Sequence, residues 1–222
     1  FACEQPPPAL PPQPWIDRPA DQWPTIALTS HIRLGPMDFR DKAGAFLIDT
    51  GTDTLAAAPK HLFLVFKNSD IPAIHFAGLP HRWVMYPPGN RADSLVTDRL
   101  LNEDPQEKII KQYVVNRDWL IFSVAAKVPS DIQPLKPRFG QLEKGQQVYL
   151  IGWTENGGQP VFTGTIYESY EYKFLVDFAD QDVAPFGGAP VVDTGGYLVG
   201  IHTGKIGEVS WVSSSTSRLR AW

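Results

Sequence analysis

The chain is short of several things that would otherwise explain it. It holds one cysteine, Cys3, so no disulfide can form within it. No apolar run approaches the ~18–20 residues that a bilayer-spanning helix needs. Basic charge is not in excess: 20 Lys and Arg stand against 24 Asp and Glu, a net charge of −4. Without a basic stripe there is no electrostatic footprint for nucleic acid as a partner. Metal-ligand spacing is missing too, because His31, His75 and His81 form no such pattern with one another or with Cys3. The sequence therefore implies neither a metal nor another cofactor.

What is present is enough apolar material for a sizeable core, 43% hydrophobic with 12% aromatic. It comes in short runs cut by Gly, Pro, Asn and Asp: 25–34, 43–49, 61–67, 74–77, 82–86, 119–125, 147–153, 161–167, 174–178, 191–193, 197–202 and 209–212. These are too short for typical helices and rich in Val, Ile, Phe and Tyr, which predicts strands. Many strands with frequent turn signals predict an all-β barrel or sandwich. Residues 1–24 carry a dense run of prolines and predict a polyproline tether. Residues 92–115 predict a long connection with some helix, and 126–140, with Pro129, Pro134 and Pro137, predict a linker between two all-β parts, 25–125 and 141–222. The last part is expected to end in a polar tail, with a helical turn in 213–222.

Three segments resemble the motif blocks of trypsin-like serine proteases, in the family's order. Ala43-Gly44-Ala45-Phe46-Leu47-Ile48-Asp49 with Leu55-Ala56-Ala57-Ala58 resembles "GSGFIID…LTAAH". Asp118-Trp119-Leu120-Ile121-Phe122 resembles the strand of the catalytic aspartate. Gly187-Gly188-Ala189-Pro190-Val191-Val192-Asp193, followed by 196–202, resembles "SGxPVVD…GxLVGIH". The resemblance implies two antiparallel six-stranded β-barrels with a cleft between them, as in the disulfide-free bacterial members. Cys3, after a small residue and before a polar, proline-rich stretch, also resembles the processing site of bacterial lipoproteins. That implies an extracytoplasmic chain, with a lipid at Cys3 as its membrane contact.

Without gaps, the alignment places Pro59 where the general base belongs and Gly187 where the nucleophile belongs, leaving Asp118 as the remaining triad position. Neither a prolyl amide nor a glycine can do that chemistry. The sequence reading is thus a protease homologue without catalytic residues that binds a peptide or protein in the inter-barrel cleft. Gly188, His202, Thr203 and Gly204 are the candidate peptide contacts. His202 is singled out because Gly200-Ile201-His202 resembles the specificity-pocket strand of proteases that recognise Glu or Gln side chains. The alternatives are an active endopeptidase with relocated residues, built on His61 and Asp118, and a structural surface domain.

Overall fold

The computed structural model describes residues 10–65, 73–75, 81–109 and 117–215. Cys3 with its expected lipid, and the tail beyond 215, lie outside the described residues. Fourteen strands follow one another: β1 Leu28–Leu34, β2 Met37–Asp49, β3 Thr54–Ala58, β4 Ala73–Ile74, β5 His81–Tyr86, β6 Leu95–Leu100, β7 Asp104–Lys108, β8 Leu120–Val124, β9 Gln147–Ile151, β10 Val161–Ser169, β11 Lys173–Asp177, β12 Pro190–Asp193, β13 Leu198–Ile206 and β14 Val209–Ser214. Among the described residues, a single 3-10 turn spans Ala20–Gln22 and one short α-helix, α1 Leu62–Val65, follows β3. The order β1-β2-β3-β8-β6-β5 closes one antiparallel barrel, and β10-β11-β14-β13-β12-β9 closes a second. The expected pair of six-stranded barrels is therefore present.

Period-two alternation explains why the central strands read as unbroken apolar runs. In β2, Ala43, Ala45 and Leu47 fill the first barrel, while Phe46 and Ile48 point outward. In β3, Ala56 and Ala58 face in, and Leu55 and Ala57 face out; in β8, Leu120 and Phe122 face in, and Ile121 faces out. The outward residues are not solvated. They meet Ile151, Val192, Leu198 and Ile201 of the second barrel in one shared cluster. Val191 and Val199, their neighbours on β12 and β13, fill the second barrel instead. The seam between the barrels is thus a third core.

Four expectations are corrected. Residues 92–115 were expected to carry some helix; their described part, 92–109, holds β6 and β7 instead. β6 buries Leu95 and Thr97 and exposes Val96 and Asp98, a strand alternation that its charges obscure. Of the run 61–67, expected as a strand, the described part is the turn and α1. The proline-rich segment is no free tether over its described part. Trp15 is only 5% exposed and stacks edge-on against Trp23, which meets Tyr149 the same way. The Gln13 N–H donates to Gly195 O (2.8 Å), and the Tyr197 hydroxyl donates to Pro11 O (2.7 Å). Gly196, at φ +80°, lets this strap lie close; a Cβ there would come within 3.0 Å of the Trp15 ring. Nor is 126–140 a loose linker. Gln133 N–H donates to Thr25 O and Leu135 N–H to Leu47 O, while Arg138 N–H donates to Leu198 O. It laces both barrels together.

Candidate functional site

β3 ends at Ala58 because Pro59 offers no N–H to continue the ladder. The chain then turns, and the Phe63 and Leu64 N–H groups close on Lys60 O and His61 O to begin α1. That turn swings the His61 ring toward the start of β8. There Asp118, fully buried, accepts the His61 backbone N–H at 2.7 Å through Oδ1 and holds His61 Nδ1 at 2.5 Å through Oδ2. The Asp118 N–H is itself tied to Ser213 Oγ at 3.1 Å. A carboxylate can only accept, so Nδ1 carries the proton and Nε2 faces outward as a base. Burial alone would lower the pKa of His61, but the charge of Asp118 and its hydrogen bond outweigh burial and hold it above the ordinary histidine value.

Nε2 points at Gly187. A Cβ built on Gly187 would lie 2.7 Å from His61 Nε2, so this backbone position is where a nucleophilic side chain would meet the base. It carries no side chain. The ring leans into the vacated volume, and a serine there would have to push it back.

The placement of Pro59 at the base position is corrected. Its ring packs on Gly188, whose added Cβ would meet Pro59 Cδ and Cγ at 2.7 Å. Two residues fed into the turn, rather than into an extended strand, account for the difference, and His61 supplies the base. Asp118 and Gly187 both lie against His61. Among the described residues, no Ser, Thr or Cys side chain is hydrogen-bonded to His61.

The nucleophile loop offers little for an oxyanion. Pro185 has no N–H; Phe186 N–H goes to Val183 O, Gly188 N–H to His202 O and Ala189 N–H to Phe186 O. Of residues 185–189, Gly187 alone keeps an N–H without a backbone partner among the described residues.

His202 is fully buried on β13. Its Nδ1 lies 2.9 Å from Phe186 O, so Nδ1 donates and Nε2 is left as a buried acceptor with no hydrogen-bond partner among the described residues. Burial pushes its pKa down to about 4. Lowered so far, the ring is neutral at physiological pH. Thr203 Oγ1 beside it is likewise buried and unpartnered, and Gly204 has open space where a side chain would be. His31 pairs with Asp38 and His75 with Glu103, each away from this site. Among the described residues, no three His, Cys, Asp or Glu groups converge to hold a metal.

No family model and no curated protein sequence matches the chain. Solved structures do. The fold is that of the chymotrypsin-like proteases. The Rv3671c protease of M. tuberculosis in its active form superposes with a TM-score of 0.56 at 16% identity, over 97% of this chain and 88% of that one. The MamO protease domain of Magnetospirillum magneticum gives 0.55 at 13%, over 89% and 95%. The HtrA-type protease AlgW, solved with a decapeptide, gives 0.55 at 15%, over 89% of this chain and 63% of that one. Identities this low establish the chymotrypsin-like architecture, and the chemistry must be argued from the side chains.

Proposed function

We propose that this chain is a peptide-binding relative of the chymotrypsin-like proteases that does not cleave what it binds. The observation that carries the reading is the meeting of His61 Nε2 with a glycine, the nucleophile position being empty while base and aspartate are paired. A hydrolase of this type needs the attacking oxygen, and loss of the serine alone costs about 10⁶ in turnover in a worked case. The single remaining N–H of the nucleophile loop weakens the chemistry further, each lost oxyanion donor costing about 10²–10³. The cleft flanked by His61, Gly187 and β13 is retained as the binding surface.

The intact His61–Asp118 pair favours one other reading, a live hydrolase with its nucleophile supplied from elsewhere in the chain. A fluorophosphonate probe and a casein digest decide between the two. The binding reading expects no label and no cleavage, and it expects only slight turnover from Gly187→Ser, because one oxyanion donor is absent and the ring must shift. Labelling of the unmodified protein, with hydrolysis abolished by His61→Ala, would establish the hydrolase.

A further inference from the structure

At the seam of the barrels, beside the nucleophile loop, lies a cavity of about 850 Å³. The first barrel lines it with Thr29, Asp41, Tyr86 and Arg91, and the second with Trp153, Glu155, Pro185 and Phe186. Pro185 and Phe186 run directly into Gly187, so a chain lying in the cleft passes its mouth.

One lining residue is itself a cation packed on an aromatic ring. Arg91 lies over the Tyr86 ring, 5.1 Å from its centroid, and its Nη2 is 3.0 Å from Asp41 Oδ2. The Tyr86 hydroxyl donates to Asp41 Oδ1 at 2.7 Å. Asp41 sits at φ +54°, in the register shift between β1 and β2, a left-handed conformation that Asp adopts more readily than most residues. Opposite stand Trp153 and Phe186, edge to face at 5.5 Å, and Glu155, which no ion pair engages among the described residues. The lining thus carries two carboxylates against one guanidinium. Arg40, which is not among the lining residues, lies 3.9 Å from Asp38 and also acts on Tyr86. Aromatic faces with surplus negative charge attract a cation.

We propose that this cavity receives the side chain of a lysine or arginine from a peptide bound in the cleft. The inference rests on the peptide-binding reading and adds the chemistry of the ligand. Arg91 is then an internal occupant of the same kind. A ligand cation lies between Trp153 and Glu155 and draws on the field of Asp41.

The test uses the full chain and three fluorescein-labelled peptides that differ at one position: arginine, its neutral isostere citrulline, or glutamate. Fluorescence anisotropy at low salt should show the arginine peptide binding about tenfold tighter than the citrulline one, with the gap shrinking at high salt. Glu155→Gln should remove most of that gap. Arg91→Ala should strengthen arginine-peptide binding, whereas Lys144→Ala, an equal charge change on a remote face of the second barrel, should not. Equal affinities for the arginine and citrulline peptides, with binding measurable, would overturn the cation site and leave peptide binding standing. No binding of any peptide at millimolar concentration would overturn both.

Discussion

Two histidines of this site pull stability in opposite directions with pH. His61 is held above its ordinary pKa by Asp118, so its contribution is fully present below about pH 6.5 and is lost as pH rises through the raised value. His202 has a folded pKa of about 4 against 6.5 unfolded. Its neutral burial is therefore fully tolerated above pH 6.5 and penalised as pH falls toward 4, by about 3 kcal/mol at the limit. Urea unfolding at pH 7 and pH 4 should show the unmodified chain losing about 3 kcal/mol more than His202→Val; an equal loss in both would mean that the ring is solvated. At this scale the sequence singled out Asp118 and Gly187 through the motifs around Trp119 and Pro190, and both lie against His61. It set Pro59 at the base position and kept the residue that pairs with Asp118, His61, only as an alternative. Motif alignment counts residues along the chain, whereas the turn at Pro59 and Lys60 takes up the extra two without displacing the ring.

Around that turn, Lys60 has been drawn inside, 1% exposed, with Nζ 2.8 Å from Glu107 Oε1. Glu107 belongs to β7, which pairs with β4 in a two-stranded sheet outside both barrels. The ion pair therefore ties this accessory sheet to the segment that presents His61. Removing one member of a buried pair strands the other charge, so Glu107→Ala should cost about 3 kcal/mol in chemical denaturation. Replacing both, as Lys60→Met with Glu107→Leu, should recover most of it; a double variant as unstable as the single would show that packing, not the stranded charge, sets the cost. β6 and β7 were not legible in the sequence. Their outward residues are charged, and β7 carries Pro105, which an edge position tolerates but a central strand does not.

Over the whole molecule, the short apolar runs implied an all-β fold, and the motif resemblance implied the two six-stranded barrels that the structure has. The apolar seam between them was not read in advance. Nor was the strap of residues 10–24, since its proline density conceals two anchoring indoles. Trp15→Ala should cost about 3–5 kcal/mol and expose the strap to proteolysis while far-ultraviolet circular dichroism stays that of two barrels. An unchanged digestion pattern would mean that Trp15 does not hold it. The strap's partners also set an order of events during synthesis. Pro11 and Gln13 bind Tyr197 and Gly195, residues made about 180 positions after them. Because the ribosome delivers the chain from its N-terminus, the first described residues to emerge are among the last to find their place. The first barrel must wait with its outer face uncovered, and closing the strap registers that the second barrel is finished.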